Sequence, residues 1–210
     1  ATQEISLVYD PFTPRALLQA LIATMAQRNT RLSLINASRD EAESLLANGQ
    51  ADLGICQARH RSVGDAMEWR ALGAIEMDFY AAKALFPGAE QPLSLLELSL
   101  TPQVIMHPDS DEPVARRLQI SGHTIFTNEL EMLRALLEQG CGWGFLPTHM
   151  HAEQWENVNT LRTEVGSQGI SQTMVTIWKP GNDRRVLIEE TLGVLPGLWR
   201  EVGGEKSLLD

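Results

Sequence analysis

LEQGCGWGFLP, residues Leu137–Pro147, decides the fold. A helical run stops at Gly140, and a short apolar run restarts at Trp143 and closes at Pro147, which reads as helix, tight turn and buried strand. Gly140 stands where a helix C-terminus needs a residue at positive φ. Gly142 and Gly144 let a backbone without side chains pack close to its neighbours. The same logic occurs upstream in SLLANGQADLGI, Ser44–Ile55, where Gly49 follows a helical stretch and Asp52 leads into a strand at Leu53–Cys56. Two helix-Gly-strand units in one short chain predict a parallel α/β architecture. Gly140, Gly142 and Gly144 superficially match a nucleotide-binding loop. Such loops follow a strand and open a helix, so that the helix N-terminus faces the phosphates. The order here is reversed, and the turn reads as structural.

The remainder of the chain fits this pattern. Ile5–Tyr9 reads as the first strand, and Asp10-Pro11-Phe12-Thr13-Pro14 as a loop in which Thr13 can cap the helix Ala16–Gln27. Arg31–Asn36 suits a strand, Ser38 or Asp40 caps a helix at Glu41–Asn48, and Leu53–Cys56 completes a βαβαβ half. Trp69–Met77 and Phe79–Ala84 are extended, and Leu93–Leu98 reads as a short helix. A second set follows: strand Gln103–Met106, loop His107–Ser110, a short helix near Pro113–Leu118, strand Thr124–Phe126, helix Glu129–Gln139 capped by Asn128, and strand Trp143–Leu146. Ser171–Trp178 is β-rich, and Asp183–Trp199 reads as a closing helix. A terminal strand and helix must pack on something already built, so the chain is expected to return to its first lobe. Residues 1–82 with 166–210 would form lobe I and residues 83–165 lobe II, with crossovers near Ala81–Lys83 and Val165–Gly169. The strand-to-helix loops of both Rossmann-like lobes would line a cleft, where open parallel sheets bind ligands.

Composition bounds the function. A chain of 210 residues with a formal net charge of −10 repels a nucleic-acid backbone, and it has no basic stripe with interleaved aromatics. No apolar window is long enough for a membrane span, and ATQEISLVYD lacks the regions of a signal peptide, so a cytoplasmic location is expected. Cys56 and Cys141 show no metal-ligand spacing and read as structural. His149 and His151 form an H-x-H pair with no recognisable third ligand. Neither a G-x-S-x-G elbow nor an H-E-x-x-H helix is present, so an enzyme is disfavoured and no metal or cofactor is expected.

The order of elements, the segment Gly49–Ile55, LLEQGCGWGFLP from Leu136, and VTIWKPGNDR from Val175 together resemble the effector-binding domain of LysR-type transcriptional regulators, over essentially the whole chain. The resemblance implies an α/β fold of the type II periplasmic-binding-protein kind. It implies a cytoplasmic domain that binds a small-molecule effector between two lobes, forms a homodimer (a tetramer in the full-length protein), and reaches DNA only through an N-terminal winged helix-turn-helix that this stretch lacks. A solute-binding protein of a transporter shares that fold and is the alternative. An enzyme on the same scaffold is a weaker third reading. Upstream sequence separates the first two, since a helix-turn-helix supports regulation and a signal peptide transport.

Candidate effector-binding residues lie in the strand-to-helix loops. Thr13, with Phe12, sits at the first helix start, and the resemblance implies that a hydroxyl here meets the effector's polar group; a helix cap alone is the competing reading. Asp10 disfavours a plain carboxylate ligand, unless it points away or meets a donor on the ligand. Arg59 could grip an anion or simply be solvated on a rim; His60 follows it. His107, Asp109 and Ser110 follow the first strand of the second lobe, and Thr127 and Asn128 precede a helix there. For the dimer, the resemblance implies an antiparallel pairing of the first helix and adjacent strand with a second-lobe helix of the partner. The residues concerned would be Leu17, Leu18, Leu21, Arg31 and Ser33 against Leu133 and Leu137, with intramolecular core as the alternative for the leucines.

Overall fold

The computed structural model describes residues 1–58, 66–88, 92–106, 119–165 and 170–202. The chain separates into two compact units, residues 1–75 with 172–210, and residues 76–171.

In the first unit, β1 (Gln3–Tyr9) leads into α1 (Arg15–Gln27), β2 (Thr30–Asn36), α2 (Arg39–Ala47) and β3 (Leu53–Gln57). β1 lies between β2 and β3 and runs parallel to both, with Leu7 opposite Leu34 on one side and Leu53 on the other. The alternation of Ile5, Leu7 and Val8 puts apolar side chains inside, and Leu17, Leu18, Leu21 and Met25 make one buried face of α1. Each of these fully buried aliphatic side chains contributes about 1.5–3 kcal/mol relative to exposure. Asn29 at φ 57 turns the chain after α1, and Gly49 at φ 79 turns it after α2. Ser38 caps α2 by accepting from the Glu41 amide at 3.4 Å. The start of β4 (Glu68–Ala82), β9 (Ser171–Trp178) and the last helix, α5 (Arg185–Glu201), complete the unit. β9 pairs antiparallel with β3, so the late strand does return to the early sheet. Trp199 of α5 is fully buried against β4 at Gly73.

The second unit holds the rest of β4, followed by α3 (Leu95–Leu100), β5 (Gln103–Met106), β6 (Thr124–Thr127), α4 (Leu130–Glu138), β7 (Trp143–Pro147) and β8 (Val158–Thr160). β5 runs parallel to β6 and β7, whereas β4 is antiparallel to β7 and β8. Gly140 ends the helical turn at φ 73. A Cβ on Gly142 would meet the Pro102 carbonyl oxygen at 2.6 Å, and the next residue, Trp143, donates its amide to that same oxygen. The buried Trp143 indole donates to Leu98 O at 2.9 Å and pins α3. The glycine-rich segment is therefore a close-packed helix-to-strand turn.

Three sequence expectations shift. Residues 68–82 form one continuous strand, because Asp78, read as a break, pairs with Leu146 across the ladder. α3 starts two residues later than expected, after Ser94, whose hydroxyl and Glu97 form a reciprocal capping box. The divisions between units fall inside β4, after Ile75, and at the start of β9, after Ser171, rather than after residues 82 and 165. The short helix expected near Pro113–Leu118 lies outside the described residues.

Candidate functional site

At the carboxyl end of β1 the chain is tied down by short bonds. The Asp10 amide donates to Ile55 O at 2.8 Å and extends the parallel ladder, while the Thr13 amide donates back to Asp10 O at 2.9 Å and closes the loop. The Asp10 carboxylate accepts from the Phe12 amide at 2.8 Å, and Gln57 Nε2 lies 3.4 Å from each of its oxygens. These contacts tie the buried carboxylate to its own loop and to the end of β3. Arg15 Nη1 donates to Thr13 O at 2.9 Å and its guanidinium lies 5.1 Å from the centre of the Tyr9 ring.

Thr13 does not cap α1. The residue flanking the helix is Pro14, whose carbonyl accepts the first helical bonds from Leu17 and Leu18, and no side chain caps this end. Thr13 is 1 % exposed, and its hydroxyl has no partner among the described residues. A buried hydroxyl without a partner costs about 1–3 kcal/mol, which sets Thr13 apart from the other candidate residues.

The same carboxyl edge carries a residue that sequence reasoning missed. Arg39 opens α2 and is 5 % exposed. Its Nε donates to Glu43 Oε1 at 3.0 Å and Nη1 donates to Gln57 O, while Nη2 is buried with no partner among the described residues. A signal existed in the sequence. An arginine in the first turn of a helix opposes the helix dipole, which favours acids there, so some other contact must hold it.

Of the other candidates, Arg59, His60, His107, Asp109 and Ser110 lie outside the described residues. Thr127 ends β6 in the second unit, where its hydroxyl accepts from the Glu129 amide at 3.3 Å. Asn128 does not cap α4; Glu129 does, accepting from the Met132 amide at 3.1 Å. A carboxylate at that position satisfies a free amide and suits the positive end of the dipole. The structure thus brings Asp10, Phe12 and Thr13 together in one loop of the first unit and leaves Thr127 and Asn128 in the second.

The leucines assigned to a dimer face are corrected. Leu17, Leu18 and Leu21 point into the first unit, with Leu18 only 3 % exposed, and Leu133 and Leu137 are fully buried. They are spent on the intramolecular core. On α1 the exposed large apolar side chain is Ile22, at 42 %. It borders a groove of about 310 Å³ shared with Thr2, Ala26, Asn29, Arg31 and Leu32. Arg31 and Ser33 are exposed on β2, which stands at the end of the strand order.

Among the described residues no group of three or more His, Cys, Asp or Glu could hold a metal ion. His151 instead occupies a left-handed turn at φ 50, with Nδ1 3.4 Å from Glu153 Oε1. Cys56 is buried in β3, and Cys141 is half-buried after the glycine turn. No described helix is long and apolar enough to cross a membrane.

The chain belongs to the LysR substrate binding domain family, whose model matches residues 1–196. It is an effector-sensing domain of the LysR type of transcriptional regulator. Among solved structures it is similar to the reduced regulatory domain of OxyR2 from Vibrio vulnificus, at 16 % identity and a TM-score of 0.75 over 94 % of this chain and 96 % of that one. It is also similar to the effector binding domain of a BenM variant, at 13 % identity and a TM-score of 0.73 over 96 % and 97 %. The reduced OxyR regulatory domain from Pseudomonas aeruginosa matches at 13 % identity and a TM-score of 0.71 over 93 % and 98 %. At these identities the likeness establishes the shared fold, that of type II periplasmic binding proteins. Among curated proteins no sequence matches the chain.

Proposed function

We propose that the effector is a small molecule held at the carboxyl edge of the first unit's parallel strands, with the Thr13 hydroxyl as its first protein contact. The observation that carries this reading is the buried Thr13 hydroxyl, which does not cap α1 and has no partner among the described residues. Asp10 and Gln57 hold the loop in place, so the site is organised before the ligand arrives. The domain acts by binding and transmits the change to DNA-binding parts of the regulator; it catalyses no reaction. A role on DNA supports a cytoplasmic location, and the family match favours regulation over a transporter's solute-binding protein.

Two copies pair through the α1 and β2 face of one and the α4 face of the other. Ile22 on α1 and Leu34 on β2 are exposed, as are Met132 on α4 and Phe126 on β6. Meeting twice about a two-fold axis, these surfaces close a symmetric dimer.

A thermal-shift screen of small metabolites, with each hit repeated on Thr13→Val, tests the site. Hits should raise the melting temperature of the wild type and lose that effect in the variant. Hits that stabilise both proteins equally would place the effector elsewhere.

A further inference from the structure

We infer that Arg39 is a second ligand contact at this edge and that the effector is therefore an acid, a carboxylate or comparable small oxyanion. The inference rests on the effector site proposed above and names the class of molecule it takes.

Among the described residues two buried side-chain atoms, the Thr13 hydroxyl and Arg39 Nη2, lack a partner, and both residues stand on one connected network. The Thr13 amide bonds the Asp10 carbonyl, the Asp10 carboxylate meets Gln57 Nε2, and the Gln57 carbonyl takes Nη1 of Arg39. The parallel pairing of β1 with β3 brings their carboxyl ends side by side, which is why loops far apart in sequence share this network. The chemistry of the unfilled atoms is specific. A guanidinium nitrogen only donates, so whatever satisfies Nη2 must be an acceptor, whereas the Thr13 hydroxyl can take either role.

Charge decides between acceptors. Glu43 sits on Nε and offsets part of the positive charge, and Asp10 adds a negative one near by. Both carboxylates already bond protein donors, while Nη2 does not. An ionised oxygen adds charge–charge attraction to the hydrogen bond that guanidinium already makes, and shielding from water strengthens that attraction. An acid should therefore outcompete its amide. The arginine is also held at two of its three nitrogens, so the third is presented without further loss of side-chain freedom.

The test uses the chain as it is, with acetate, succinate and sulfate as probes and acetamide and succinamide as neutral counterparts. NMR titration follows the Arg39 Nε–H and the Thr13 amide, alongside Arg39→Lys and Arg39→Gln. Acids should shift both signals in the wild type and bind at least about tenfold more tightly than the amides, a difference of about 1.4 kcal/mol. Both variants should lose that preference. Arg39→Lys keeps the charge without the fork, so it remains informative if Arg39→Gln fails to fold. Acids and amides that act alike on the Arg39 signal, or acids that move Thr13 alone, overturn the inference and leave the Thr13 site standing. Conversely, an acid whose shift at Arg39 persists in Thr13→Val supports the arginine contact and removes the threonine.

Discussion

Gln57 Nε2 lies 3.4 Å from both carboxylate oxygens of Asp10, joining the end of β3 to the loop that follows β1. The same carboxylate holds the Phe12 amide at 2.8 Å. Asp10→Ala should therefore lower stability by about 1–3 kcal/mol, because it strands a buried amide. Asp10→Asn should cost less, since an amide oxygen can still accept from Phe12. Urea unfolding of the two variants checks the order, and equal losses would mean that the Phe12 bond carries little.

Gly73 of β4 packs directly under the indole of Trp199, where an added Cβ would come within 2.4 Å of the ring. Trp199 is fully buried and cannot swing out to solvent without opening the core. Gly73→Ala is expected to lose about 1–3 kcal/mol through overpacking and to shift the tryptophan emission. A variant as stable as the wild type would show that α5 can slide.

Burial raises the pKa of Asp78 above 3.8, with Glu153 adding to the rise and the bond from the Phe79 amide opposing it. A carboxyl with a raised folded-state pKa binds its proton more tightly folded than unfolded. Its contribution is then most favourable below 3.8 and is lost as pH climbs through the folded pKa. Asp78→Asn removes that titration and keeps an acceptor for Phe79. Its stability relative to the wild type should rise with pH across this acidic window and then level off. A difference that stays flat with pH would show that Asp78 ionises normally.

Ile22 and Leu18 are both apolar positions on α1, yet one is 42 % exposed and the other 3 %. Ile22→Glu should stay folded and convert a dimer to a monomer by light scattering, whereas Leu18→Glu should unfold the first unit by burying a charge. A folded Ile22→Glu that keeps dimer mass would remove this interface.

How far the sequence could be read follows from these particulars. Gly49 and Gly140 were legible because a left-handed turn after a helix has one favoured residue. The return of β9 to the first unit was legible because an isolated strand must find a sheet. The buried face of α1 was harder, because five apolar residues cover more than one face and period alone does not say which is spare. Thr13 followed by Pro14 looked like a cap, but the helix begins one residue later than that reading needs. Arg39 carries one legible signal, a cation in the first turn of a helix, but a surface arginine and a buried one look alike in sequence, and the packing of α2 against the end of β3 is what tells them apart.

Binding of a verified effector to Thr13→Val, measured by isothermal titration beside the unfolding midpoint of the unliganded protein, tests the central claim most directly. The valine keeps the shape and removes a buried hydroxyl that has no partner among the described residues. Affinity should fall by about tenfold or more, the size of one lost hydrogen bond, while the unliganded variant is as stable as the wild type or more so. Unchanged affinity would contradict the assignment of Thr13 as the effector's contact.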